Sequence, residues 1–302
     1  MKQTSNRLLR KENRIAYWMM LPAVIPYILF NLLPILWAVS ISFTHYDGYS
    51  SPTWAGIDNY IAAIKDTEWW KSVWNTSLFA FGKLAIELPL SLVVAVILNE
   101  KIFARNWIRA IFFMPHITSM AVMGLIFFFI FRPIDGILNG ILQSLHLIKE
   151  PIDYLGEPAS AMISIIVVAV WHGFGMNMVL FLAGLQTISK DMYESASLDG
   201  ATPAQQLWFI TVPMLGPVLK IVILLAIVST LKSFDLIKVL TDGGPFGTTN
   251  VMFTYIFDYF FSASDSSSGQ YGYGSALGVL ATLLIAAVSV IYLRFTRNLK
   301  AH

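Results

Sequence analysis

The chain has 302 residues, 56% of them hydrophobic and 13% charged, with a formal net charge of +2. Soluble globular proteins carry about 25% charged residues, so the composition excludes an ordinary water-soluble enzyme, and the near-neutral balance gives no pull toward nucleic acid. With no cysteine there are no disulfides, thiolate metal sites or cysteine nucleophile, and the redox compartment stays open.

Crossing about 30 Å of hydrocarbon takes a helix of about 20 mostly apolar residues. Stretches free of Asp, Glu, Lys and Arg cover 15–46, 110–131, 158–189 and 266–293, with lengths of 32, 22, 32 and 28 residues. The first span is expected over 15–43, after a tail at 1–14. It is too long for a signal-peptide core and is interrupted by Pro22, Pro26 and Pro34, so it reads as an uncleaved anchor. The second span, 72–99, is apolar apart from Lys83 and Glu87. The third is 110–131, the fourth 159–186, the fifth 214–233 with Lys220 near its start, and the sixth 276–294 before a tail at 294–302. Barrel strands would alternate over about 10 residues. Continuous apolar runs instead predict an all-α integral membrane protein with six transmembrane helices.

The connections set the orientation. Lys2, Arg7, Arg10, Lys11, Arg14, Lys101, Arg105, Arg109, Lys190, Arg294, Arg297 and Lys300 fall on one side, against Lys65, Lys71, Arg132, Lys149, Lys232 and Lys238 on the other. Both termini are therefore expected in the cytoplasm. Trp54, Tyr60, Trp69 and Trp70 suit an outer interfacial belt, and 262–275, rich in Ser, Gly and Tyr, reads as a mobile external loop.

Between the fourth and fifth spans, residues 188–213 pattern as two short amphipathic helices. Ser189 caps the first, with Asp191 in its opening turn, and Gly200 ends it. Thr202 and Pro203 start the second, Leu207, Phe209 and Ile210 give it an apolar flank, and Pro213 closes it. Two readings fit this pattern: a helical turn resting on lipid headgroups, or a docking element for a cytoplasmic partner.

The segment Glu194-Ser195-Ala196, Asp199-Gly200-Ala201, Phe209-Ile210 and Pro213 resembles the EAA loop of binding-protein-dependent ABC importer permeases of the maltose-type carbohydrate family. Phe113-Met114-Pro115, Trp171-His172-Gly173-Phe174, Leu182 through Ile188 and Leu240 through Pro245 resemble further pieces of that family in the same order. The resemblance covers about 72–293, and Ser195 departs from the family's second Ala. It implies a type I importer permease core over 72–293, in which 188–213 is the coupling loop seated on a cytoplasmic ATPase. Glu194, Ala196, Asp199, Gly200, Ala201 and Pro213 would carry that contact. It further implies a second, homologous permease in a heterodimer, two ATPase subunits that bind ATP and Mg, an extracellular or periplasmic sugar-binding protein, and a bacterial or archaeal plasma membrane. No cofactor is expected in this chain. Its one Gly-Lys pair, Gly82-Lys83, lacks the other P-loop residues, and its five histidines lack zinc-site spacing.

A sugar path needs hydrogen-bonding groups at mid-membrane. His172, Gly173, Met176 and Asn177 cluster in the fourth span, and Ser229, Thr230 and Ser233 are spaced for one helix face in the fifth. By resemblance, positions matching these, except Asn177, line the sugar site. The competing reading is that the hydroxyls bond to their own helix and that Gly173 and Gly175 serve close packing. Lys83 and Glu87 can pair one turn apart, either structurally or as a proton or ion relay. An ion-coupled secondary transporter would fit the spans and that pair but would not need the 188–213 loop. A membrane enzyme lacks a catalytic constellation.

Overall fold

The computed structural model describes residues 17–100, 102–261 and 270–297. The expected tail at 1–14 and most of the expected loop at 262–275 lie outside these residues, as does the end of the tail at 294–302. The chain divides into two compact units, Met1–Lys65 with Asp258–Leu280, and Asp66–Phe257 with Ala281–His302.

In the first unit, α1 (Tyr17–Ile41) is 25 residues long and contains a π-helical turn at Ile28–Leu32. Pro34 follows directly. A proline ring crowds the carbonyl four residues earlier and lacks an N–H, so the wider turn ahead of it relieves the clash without ending the helix. Of the side chains on α1, Ile41 alone is buried. Two short strands follow, β1 (Thr44–His45) and β2 (Thr53–Trp54), antiparallel with Thr44 opposite Trp54. The Asp47 carboxylate closes their connection, with Oδ1 accepting from the backbone N–H groups of Tyr49 and Ser50 and from Ser50 Oγ at 3.0, 2.8 and 2.7 Å. These bonds to the charged form, the Ser50 hydroxyl first, lower its pKa to about 2. Asn59, on α2 (Asp58–Lys65), donates to the Ser42 and Thr44 carbonyls at 2.9 Å each and ties that helix to the strand.

The second unit is built around two long helices, α3 (Thr67–Asn99) and, after α4 to α6, α7 (Pro158–Leu185). Asp66 caps α3 by accepting from the N–H groups of Glu68 and Trp69. In lipid, helices associate through close packing and internal hydrogen bonds, because hydrocarbon offers no hydrophobic drive between them. Small residues therefore mark the contacts. At Gly175 on α7, an added Cβ would lie 2.0 Å from the Phe112 carbonyl oxygen, so only glycine admits the backbone of α4 (Arg105–Ile117). Arg109 Nη2 donates to the Leu98 carbonyl at 2.7 Å, satisfying one of the orphan carbonyls at the end of α3.

Two expected spans prove to be bent. The 110–131 stretch is α4 plus α5 (Met120–Ile130), which meet at 95°. Pro115 lies in the last turn of α4, and Thr118 and Ser119 are extended, with ψ of 140° and 137°. At about 1.5 Å per residue, the 11 residues of α5 do not cross a bilayer alone. The 214–233 stretch begins at a 74° bend between α9 (Pro203–Met214) and α10 (Gly216–Leu231), where Pro217 prevents the first helix from running on. Among the described residues there are thus four continuous membrane-length helices, α1, α3, α7 and α13 (Tyr271–Thr296). Counting each bent pair as one span makes six. The remaining helices are short: α6 (Ile137–Ser144), α8 (Lys190–Leu198), α11 (Asp235–Leu240) and α12 (Met252–Phe261).

One apolar cluster joins Phe79, Met123, Ile165, Val168, Leu236 and Leu240. A second joins Leu98, Phe181, Leu185, Ile188, Leu215 and Val222, where α3, α7 and α10 meet the two ends of the 188–213 segment.

Gly175→Val is expected to force α4 off α7 and to destabilise the bundle by about 2 kcal/mol or more, seen as a lower midpoint in thermal unfolding of the detergent-solubilised chain. Because the folded pKa of Asp47 is depressed, the stabilisation from its turn is present above about pH 4 and lost as pH falls through about 2. Hydrogen exchange at the Ser50 amide is expected to accelerate over that acid window, and Asp47→Asn to abolish the dependence.

Candidate functional site

Two features of the second unit stand apart from plain packing. The first is the exposed crank formed by α8 and α9. Ser189 Oγ accepts from the Asp191 N–H at 3.3 Å and caps α8. At the other end Gly200 has φ of +80°, a conformation open to glycine at little cost. The N–H of Ala201 bonds to the Ala196 carbonyl at 2.9 Å, and that of Gly200 to the Ser197 carbonyl at 3.1 Å. This double closure is the Schellman stop. Thr202 then caps α9 through a reciprocal box with Gln205, and Pro203 fills its first turn. Cross-links make the two helices one body. Tyr193 OH and Thr211 Oγ1 lie 3.0 Å apart, and Gln206 Nε2 donates to Ser197 Oγ at 2.9 Å.

Glu194 is exposed on α8, Ala196 is half-buried, and Asp199 is the C-cap residue. Ala196, Asp199, Gly200, Ala201, Gln205 and Phe209 line a shallow pocket of about 350 Å³. Leu198, Trp208 and Phe209 stand 90%, 66% and 78% exposed around this otherwise polar crank. By contrast, Ile188 and Leu215 at its two roots are buried in the second apolar cluster. Pro213 lies in the last turn of α9, which ends one residue later at Met214, and a π-helical turn at Leu207–Thr211 opens the ladder ahead of the proline ring.

The second feature is a buried polar clamp. Lys83 and Glu87, at the middle of α3, are 5% and 2% exposed and pair at 2.6 Å. A charge at a helix centre in the bilayer costs about 2.5–3.5 kcal/mol, and pairing offsets that cost. Each charge also reaches another helix. Lys83 Nζ donates to Thr230 Oγ1 on α10 at 2.9 Å, and Glu87 Oε1 accepts from Asn177 Nδ2 on α7 at 2.6 Å. Gly173 leaves the space: a Cβ there would sit 2.6 Å from Glu87 Oε1. Ser91 Oγ, one turn further along, lies 2.6 Å from the Glu87 carbonyl oxygen and 2.9 Å from that of Phe174.

The seven expected path residues therefore divide. His172, Asn177 and Thr230 are buried, and His172 Nε2 donates to the Thr118 carbonyl at 3.0 Å. Met176 and Ser229 are exposed on α7 and α10, whereas Gly173 and Ser233 are half-exposed. Ser229, Thr230 and Ser233 do not share one helix face, because α10 ends at Leu231 and Ser233 lies in the turn beyond it. Ser229 Oγ bonds its own helix at the Ala226 carbonyl, 3.1 Å away. The links from Asn177 to Glu87 and from Thr230 to Lys83 were missed by sequence reasoning. The only available signal was that two charges in an apolar span demand more partners than each other.

Membrane-length apolar helices carrying an exposed, rigid crank and a buried polar clamp suit an integral membrane protein. Residues 87–301 match the family described as binding-protein-dependent transport system inner membrane component, and the chain belongs to that family. It is 33% identical over 295 residues to the trehalose/maltose transport system permease protein MalF of Thermococcus litoralis, covering 97% of each chain. It is 29% identical over 305 residues to the lactose transport system permease protein LacF of Rhizobium radiobacter, covering 99% of this chain and 100% of the other. Its fold is similar to that in the crystal structure of a bacterial ABC transporter involved in import of the acidic polysaccharide alginate, with a TM-score of 0.81 and 22% identity, covering 96% of this chain and 98% of that one. The all-α importer permease expected from the sequence holds.

Gly200→Val and Thr202→Ala are each expected to loosen the crank by about 1 kcal/mol. Hydrogen–deuterium exchange would show faster amide exchange over 196–206, with α7 unchanged.

Proposed function

We propose that this chain is one half of the translocation path of an ATP-driven importer for a sugar or oligosaccharide, embedded in a plasma membrane with both termini in the cytoplasm. A second, homologous permease completes the path, an external binding protein delivers the solute, and two cytoplasmic ATPases bind ATP and Mg and drive the cycle. The trehalose/maltose and lactose systems of similar chains support a saccharide as the solute.

The rooted crank carries the reading. A lever transmits force when it is stiff and its ends cannot slip. Here α8 and α9 are capped at their junction and bonded to each other, and Ile188 and Leu215 are seated in the bundle. Closure of the ATPases on ATP would push on the face carrying Glu194, Ala196, Asp199, Gly200 and Ala201. Pro213, near the root, lies next to the bend into α10. Displacement of the roots moves α7 and α10, which carry Gly173, Met176 and Ser229 on their less covered faces and His172, Asn177 and Thr230 behind them, with Ser233 just past the end of α10.

Reconstitution with its partner subunits tests this. Glu194→Lys and Gly200→Asp are expected to cut solute-stimulated ATP turnover and uptake of labelled maltose or trehalose at least about tenfold, with normal membrane insertion. Uptake is expected to need ATP and to survive collapse of ion gradients. Uptake that follows an ion gradient without ATP would favour secondary transport, and normal coupling in both variants would remove the crank from the mechanism.

A further inference from the structure

The clamp at Lys83 and Glu87 joins three helices by charged hydrogen bonds, yet none of its bonds is needed to close a helix. α3, α7 and α10 are each helical here through their own backbone bonds; Pro89 withholds one N–H from α3 and Thr230 lies in the last turn of α10, but the clamp's bonds run between side chains and replace none of these. Plain apolar side chains with small-residue contacts would hold three helices together in lipid. What an ion pair adds is register, because a hydrogen-bonded charge accepts one alignment of its partners while an apolar contact tolerates sliding. The geometry is selective in the same way. Glu87, ionised, only accepts, so it must meet the NH2 end of Asn177. Lys83 only donates, so it must meet the Thr230 oxygen. Gly173 lies against the carboxylate, with no room for a side chain between them. A one-residue shift of α7 along α3 would break the Glu87–Asn177 bond, and one of α10 the Lys83–Thr230 bond, each leaving a buried polar group unanswered.

We propose that Glu87 is a positioning residue for transport. By holding Asn177 directly and Thr230 through Lys83, it sets the spacing of α7 and α10, and with it the spacing of the less covered path residues Gly173, Met176 and Ser229. It acts through these groups and does not touch the solute. The inference rests on the reading that α7 and α10 line the path.

The chain has no cysteine, so introduced pairs report on it without background. Val179 on α7 and Leu225 on α10 are exposed, take no part in the clamp, and lie one turn from Met176 and Ser229. Val179→Cys with Leu225→Cys, spin-labelled in the full chain assembled with its partner permease and ATPases in liposomes, gives the helix separation with no solute present. In Glu87→Gln the separation is expected to broaden or shift by roughly 2 Å. In the same assembly without labels, KM for maltose or trehalose uptake is expected to rise about fivefold or more, with the amount in the membrane unchanged. Lys83→Met with Glu87→Gln keeps an acceptor for Asn177 and removes the stranded charge but leaves Thr230 unheld, so it is expected to reach the membrane in normal amount with the separation and KM still altered. An unchanged separation and KM in Glu87→Gln overturns the proposal. Loss of the protein from the membrane in the single and double variants also overturns it, since the clamp would then serve folding alone. Ser229→Trp tests the path by itself. Normal uptake there removes the path reading, while the spin-label distances still judge whether Glu87 sets the register.

Discussion

A lysine and a carboxylate one turn apart in a membrane-length helix have to be answered from inside the protein, because hydrocarbon offers neither counter-ion nor hydrogen bond. In this chain the answer comes from three helices at once. Lys83 and Glu87 pair with each other, and each makes a further hydrogen bond, to α10 and α7 respectively. The glycines on α7 follow from the same constraint: Gly173 makes room for the carboxylate, and Gly175, two residues on, admits the backbone of α4.

The crank obeys the opposite logic. It is nearly all exposed, so no core holds it, and its stiffness comes from local devices: a Schellman stop, a capping box and two side-chain cross-links. The stop and the box act within a few residues, whereas Tyr193 and Thr211 are 18 apart and Tyr193 also packs against the bundle. Burial is deepest toward the roots, where Thr211 is buried and Ile188 and Leu215 join the same apolar cluster as Leu185 and Val222. A stiff exposed element anchored at both ends is what the proposed coupling requires.

Much of the crank was legible because capping chemistry is local. Ser189, Gly200, Thr202 and Pro203 each act on neighbours within a few residues, and each sits where that chemistry requires. Pro213 stands one residue before the end of α9, as a helix-closing proline should, but the π-helical turn of five residues ahead of it was not legible. The bends at Thr118 and Leu215 were also hidden, since apolar composition reports whether a segment enters the bilayer and is silent on whether it crosses straight.

The sequence by itself determined that the chain lives in a membrane, how many apolar segments it has, where the exposed crank begins and turns, and which two charges stand in the hydrocarbon. Those properties depend on composition and on contacts a few residues apart. Tertiary structure alone decided which groups answer the charges, which of the residues proposed for the path are buried and which are exposed, and where the crank is rooted. Each of these joins residues far apart in the chain, and the distance and direction between such residues exist only once the helices have packed.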